Sequence, residues 1–337
     1  MRSILTLCML AITSIISLQA NAEQVNIYSF RQPFLIQPIL EKFTAQTGIE
    51  AKVVFSKKGL IQRLKREGEL SPADVILTSN FSKMLQVKEQ GLSQPYQLST
   101  ALAENIPAQF RDSENHWIAL TQRVRNIYSS KERSGDQSAI RYEDLAKPEY
   151  KGRICTRSGK HPYNLGLIAS MIAHNGEAAT EQWLTAVKGN LARKPQGNDR
   201  GQVKAIKEGL CDVSLGNSYY LGKMLQDPKQ VEWANAVNLN FPNQQDRGSH
   251  INVSGAVLTK YAPNKQAAQK LIEFLASEQA QTLYAELNME YPVMPSAKVS
   301  DLVKSWGTFK ADPLPLEEIA KYQKDALKLV DKVHFDL

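Results

Sequence analysis

The run Asp74-Val75-Ile76-Leu77-Thr78 limits the fold more than any other stretch of the chain. Val75, Ile76 and Leu77 are consecutive, so a strand here is apolar on both faces and needs cover on both sides. The residues before it supply partners and cover. Gln24 to Ser29 alternates, with Val25 and Ile27 on one face, and Pro33 opens a helix carrying Ile36, Ile39, Leu40 and Phe43 that Gly48 closes. Ile49, Ala51, Val53 and Phe55 alternate as a second strand, and a basic amphipathic helix from Leu60 to Glu67 ends at Gly68. This β-α-β-α-β order predicts a parallel sheet with helices across its faces, an α/β fold. Ser79-Asn80 then caps a helix over Phe81, Met84 and Leu85, which Gly91 ends.

Beyond a loop rich in Gln, Ser and Pro, Trp117 to Leu120 and Val124 to Tyr128 read as two strands. The pattern then restarts, with a strand at Arg153 to Thr156, helices at Asn164 to His174, Ala178 to Val187 and Gln202 to Glu208, and a strand from Cys211 to Leu215. Gly216-Asn217-Ser218 turns the chain out of the sheet, which leaves Tyr219 and Tyr220 just past a strand's carboxyl end, the side that faces the crevice of an open α/β sheet. Taken alone, two such tyrosines are ordinary rim aromatics with wet hydroxyls. Ile251 to Leu258 returns as a late strand. Helices follow from Asn264 to Ala276 and from Glu278 to Leu287, with a final amphipathic helix over Leu316, Ile319, Leu327 and Val330.

Met1-Arg2, the apolar run from Ile4 to Leu18 and Ala20-Asn21-Ala22 have the order of a secretory signal peptide, with cleavage expected after Ala22. The run falls short of the ~20 apolar residues that a membrane span needs. Residues 23 to 337, at roughly 100–200 per domain, make two domains. The net charge of +7 is spread along the chain with no basic run, which suits an anionic ligand better than nucleic acid. Of the three cysteines, Cys8 lies inside the apolar run; Cys155 and Cys211 remain, an even count in an oxidising compartment, and one disulfide is expected. The alternative is a pair of buried thiols. G-x-S-x-G, H-E-x-x-H and the phosphate-binding G-x-x-x-x-G-K-[ST] are all missing.

Several stretches, taken in order, resemble the ferric-iron-binding branch of the periplasmic substrate-binding proteins of ABC importers, the bacterial transferrin-like family. They are Ile27-Tyr28-Ser29-Phe30-Arg31-Gln32, Ser71-Pro72-Ala73-Asp74-Val75, Arg123-Val124-Arg125, Gly197-Asn198-Asp199-Arg200-Gly201, Gly216-Asn217-Ser218-Tyr219-Tyr220 and Asn252-Val253-Ser254-Gly255. The resemblance implies a two-lobed, type II periplasmic binding protein with its ligand in the cleft. It places an N-lobe over 23–122, rejoined by 251–298, and a C-lobe over 123–250, rejoined by 299–337. The hinge strands cross near Arg123 to Tyr128 and Arg247 to Val253. It also implies a monomer that is not an enzyme, serves iron transport in the periplasm, and hands its cargo to an inner-membrane permease.

By the same resemblance Tyr163, Tyr219 and Tyr220 are the metal ligands. Tyr163 follows Cys155 by eight residues and Tyr219 follows Cys211 by eight, so neighbouring strands joined by a disulfide would present both at one end. Where many members carry His after the Tyr-Ser-x-Arg motif, this chain has Gln32-Pro33, and Thr78-Ser79-Asn80 offers no carboxylate. The first lobe is therefore expected to reach iron through an exogenous anion, carbonate, bicarbonate or phosphate, held by Arg31, Gln32 and Arg123, with Ser158 and Asn217 as further donors. Arg125 is expected to be structural, and His161 a solvent-exposed turn residue rather than a ligand. Hard ferric iron favours anionic oxygen, and a trivalent cation expels the proton of a phenol whose reference pKa is ~10. Other readings keep the fold with an organic anion as ligand, or make the chain an exported hydrolase using Tyr or Cys chemistry.

Overall fold

A computed structural model describes residues 23–337; the expected signal peptide, 1–22, lies outside the described residues. The first unit forms as the periodicity predicts. β1 (Gln24–Ser29), α1 (Pro33–Thr47), β2 (Glu50–Phe55), α2 (Leu60–Glu67), β3 (Val75–Thr78) and α3 (Phe81–Glu89) follow in order, with a short α4 (Thr100–Asn105) after them. β1 pairs in parallel with β2 and with β3. Gly48 ends α1 in the left-handed region at φ 72°, and the Asn80 side chain caps α3 by accepting from the Lys83 N–H at 3.1 Å. All four residues of β3 are buried, as a strand covered on both faces must be.

The two strands expected over 117–128 are one. β4 (Trp117–Ser130) runs unbroken for 14 residues, with a register shift between Ala119 and Thr121. The second unit then builds on its far end with β5 (Ile154–Cys155), α5 (Pro162–Asn175), α6 (Glu177–Gly189), α7 (Asp199–Lys207), β6 (Val213–Asn217), α8 (Tyr219–Leu225), α9 (Val231–Asn235) and β7 (Val237–Asn240). β6 runs antiparallel to β4 and parallel to β5, and β7, which the sequence reading missed, also pairs with β4. The chain returns through β8 (Ile251–Leu258), α10 (Lys265–Leu275), α11 (Glu278–Asn288), β9 (Tyr291–Pro292), α12 (Asp301–Lys304), α13 (Leu316–Lys321) and α14 (Gln323–Lys332). The expected single C-terminal helix is thus two, parted at Tyr322.

Strand order is β2-β1-β3-β8-β4-β6-β5. β8 lies between β3 and β4, so β4 and β8 together connect the two units. Gly255 belongs to that junction, because a Cβ there would stand 2.3 Å from the Ile118 carbonyl oxygen and from Met84 Sδ. One core gathers β1 to β3, α1, β8, α10 and α11, around Ile27, Phe43, Ile76 and Leu271. In the second unit one face of the sheet is covered by α5, α6 and α14 through Leu167, Leu184 and Leu329, and the other by α7 and α8 through Ile206 and Met224. Cys155 and Cys211 are bonded, with Cα atoms 5.8 Å apart.

Candidate metal centre

Tyr219 and Tyr220 are the first two residues of α8, directly after β6. Gly216 and Asn217 remain in the strand, and Ser218 makes the turn with helical backbone. Gly216 serves packing rather than turning, since the Tyr128 ring lies over it and a Cβ would come within 2.3 Å. Ser218 is stitched to β4 in both directions: its N–H donates to the Val124 carbonyl at 3.0 Å, and Val124 N–H donates to Ser218 Oγ at 3.3 Å. The Tyr219 and Tyr220 rings stack with centroids 4.2 Å apart.

Tyr163 comes from the first turn of α5. Its hydroxyl lies 3.4 Å from that of Tyr219, so three half-buried phenols from two helix starts converge. His161 caps that helix, its Nδ1 accepting from the Tyr163 N–H at 3.2 Å, with its ring edge-on to Tyr163. It is half-buried rather than exposed; burial, with help from the Arg157 charge, lowers its pKa to about 4 and keeps it neutral.

A buried ion cluster fixes the tyrosine-bearing segments from beneath. Asp199, fully buried at the start of α7, accepts from Arg125 Nη1 at 2.8 Å, Arg157 Nη1 at 3.0 Å and the Asn217 N–H at 2.9 Å. Arg125 also donates to Asn164 Oδ1 at 2.6 Å and Asn217 Oδ1 at 3.2 Å. Those residues neighbour Tyr163 and Tyr219, so Arg125 has the expected structural role.

Arg123 lies 6.0 Å from the centroids of both the Tyr163 and Tyr219 rings. It is 1% exposed, and none of its three guanidinium nitrogens has a hydrogen-bond partner. Arg31 is also buried, but its Nη2 donates to Glu290 at 2.8 Å. Gln32 stands exposed at the start of α1. Ser158 Oγ donates to Asp336 at 2.6 Å, which commits its one proton to the C-terminal segment. Asn217 keeps its Nδ2 buried and unpartnered, beneath the tyrosines. The sequence reading missed Glu290, which follows a helix end with no motif around it, and gave no role to Arg157 or Arg200. Their guanidinium carbons lie 5.3 Å from the Tyr163 and Tyr220 rings respectively, and Arg200 falls inside the Gly197 to Gly201 motif.

Burial pushes the Tyr219 hydroxyl pKa well above 10, with Tyr163 and Tyr220 adding to it and Arg123 opposing; burial likewise raises that of Tyr220. Unliganded, these two are phenols. Among the described residues no group of three His, Cys, Asp or Glu side chains is placed to hold a metal. Two hollows, of about 380 Å³ beside Trp306 and about 450 Å³ beside Trp117, contain none of the tyrosines.

Residues 71–311 match the bacterial extracellular solute-binding protein family. Iron uptake protein A1 of Synechocystis sp. is 39% identical over 313 residues, covering 92% of this chain and 87% of that protein. The crystal structure of Mannheimia haemolytica ferric iron-binding protein A in an open conformation shares 55% identity, covers 94% of this chain and all of its own, and superposes with a TM-score of 0.89. A Trichodesmium protein solved with iron and citrate ligands shares 38% identity with a TM-score of 0.88, covering 93% of this chain and 99% of that one. With its two-lobed α/β fold, its converging phenols and relatives of this kind, the chain belongs to the bacterial extracellular solute-binding protein family and is a binding protein, not an enzyme.

Proposed function

We propose that this protein captures ferric iron in the periplasm and delivers it to an inner-membrane ABC permease. The observation that carries the reading is the convergence of Tyr163, Tyr219 and Tyr220 beside Arg123, whose buried guanidinium makes no hydrogen bond within the protein. Three phenolates cancel the charge of Fe³⁺ and leave about three of six octahedral positions open. A small oxyanion such as bicarbonate or carbonate fills two of them. Arg123 holds that anion with parallel hydrogen bonds from its fork. Arg31 lends charge from behind Glu290, and Gln32 reaches in from the lip of the first lobe. Asn217 and Ser158 contribute by placing the tyrosine segments; Asn217 Nδ2 is the one donor of the two left free. The lobes are residues 23–122 with 251–298, and 123–250 with 299–337, hinged on β4 and β8.

Iron loading tests this directly. The loaded protein should carry one iron and a visible phenolate-to-iron charge-transfer band. Changing Tyr163, Tyr219 or Tyr220 singly to Phe should bleach or shift the band while circular dichroism stays unchanged. An organic-anion receptor of the same fold would give no band. A band indifferent to all three substitutions would place the metal elsewhere.

A further inference from the structure

The loop 156–161, which leads into Tyr163, is fastened on two sides. On its inner side stands Asn164, in the same first turn of α5 as Tyr163. Asn164 Nδ2 donates to Thr156 Oγ1 at 3.1 Å and to the carbonyls of Arg157 at 3.0 Å and Ser158 at 3.1 Å, which ties loop and first turn into one piece. On its outer side stands Asp336, in the segment that follows α14. Its Oδ2 accepts from Ser158 Oγ at 2.6 Å and its Oδ1 from the Gly159 N–H at 2.7 Å. Phe335 beside it is buried in the same core as Leu329 and Val330. That segment lies so close to the loop that a Cβ on Gly159 would stand 2.8 Å from Phe335 Cδ1 and 3.0 Å from Val330 Cγ1. Lys160 and Asp331 pair across the same contact at 2.5 Å, but both are half exposed and add little. The buried apolar anchors of α5, Leu167, Ile168, Met171 and Ile172, all lie beyond its first turn.

We infer that Asp336 is a positioning residue for the iron site: through Ser158 and Gly159 it holds the loop that places Tyr163, and so sets how fast bound iron is released. The inference rests on the iron reading and deepens it. Tyr219 and Tyr220 are neighbours on a helix that follows β6 at once, so they share one mount. Tyr163 stands on the other, behind a loop whose outer hydrogen bonds all end on one carboxylate. An ion leaves as its ligands detach in turn, and the phenolate whose mount gives way independently detaches first. Asp336 touches neither the tyrosines nor the ion, so it acts only through the loop. Hydrogen bonds to a carboxylate are stronger than those between neutral groups, and removing this one leaves the N–H of the buried Gly159 without its acceptor.

Iron-free protein gives the first reading. Hydrogen exchange followed by mass spectrometry should be about tenfold faster across 158–161 in Asp336→Ala than in the native protein, with 213–225 unchanged. The second reading mixes iron-loaded protein with excess EDTA and follows loss of the visible band. Asp336→Ala should release iron about tenfold faster, and Ser158→Ala, which removes one of the two bonds, should move both readings the same way by less. Unchanged exchange over 158–161 overturns the inference, as does faster exchange there with an unchanged release rate. Exchange raised equally over 213–225 means a general loss of structure and overturns it too. Should Asp336→Ala fail to fold, Ser158→Ala decides alone. Absence of the visible band in the native protein sinks the iron reading, and the exchange comparison then still decides whether Asp336 holds the loop.

Discussion

Iron binding by three tyrosines should release three protons per ion, and that number can be measured. Burial holds the Tyr219 and Tyr220 hydroxyls above the ordinary phenol value of 10.0, at least three pH units over neutrality. At about 1.4 kcal/mol per unit, ionising that pair at pH 7 costs at least about 8 kcal/mol, which the metal–phenolate bonds must exceed. Bound phenolates carry no proton while free phenols carry one each, so affinity falls as pH falls. With three sites releasing together, it changes by about a thousandfold per pH unit below the phenol pKa values. Bicarbonate bound without deprotonation keeps the total at three, whereas conversion to carbonate raises it to four. The assay adds ferric chelate of known protonation to weakly buffered apo-protein, reads protons with an indicator dye, and follows loading by the visible band. Tyr219→Phe should remove one proton from the count. Release of one proton or fewer per iron, or a count unchanged in Tyr219→Phe, would refute the tyrosinate site.

Replacing both Cys155 and Cys211 with Ser opens a cross-link across a sequence separation of 56. In the chain-entropy account this lowers stability by about 4 kcal/mol, and iron affinity should fall with it because the bond fastens β5 to the approach of β6; urea unfolding that showed no loss would refute the cross-link's role. Since the three phenols proposed to hold iron all belong to the second unit and Arg123 to the connecting strand β4, iron loading should barely draw the lobes together. Small-angle scattering that showed a clear decrease in radius of gyration on loading would contradict this.

Much of the fold was legible because local signals agreed with one another. Gly48 at a left-handed helix end, Asn80 at a helix start and the apolar run of β3 each meant in the structure what they mean in sequence. The three tyrosines also met as expected, but not for the reason that equal spacing from the cysteines suggested. Cys155 pairs in register with Ser214, not with Cys211, so the two eight-residue intervals are not equivalent paths along the sheet. Tyr163 reaches the site from a helix that follows a two-residue strand and a loop, Tyr219 from a helix that follows a five-residue strand at once. Their hydroxyls meet because Arg125 and Asp199 hold both helix starts to one cluster. Long-range side-chain pairing of that kind leaves no periodic trace.

The break expected in β4 shows the same limit from the other side. Thr121, Gln122 and Arg123 interrupt an apolar pattern, and by alternation alone they read as a gap between two strands. The strand continues through them because each residue has an inward task or a partner. Thr121 bonds Ser254 and Glu290, Gln122 pairs across to Val253 and Tyr291, and Arg123 faces the tyrosines. A buried polar stretch is costly in an ordinary core and persists where something satisfies it. At Arg123 the Glu290 carboxylate, 3.6 Å from Nη1, offsets the charge, but no guanidinium nitrogen has a hydrogen-bond acceptor. The polar residues that look like an interruption of the sheet therefore gather beside the three tyrosines, where the unused hydrogen-bond donors of Arg123 support the proposed anion site.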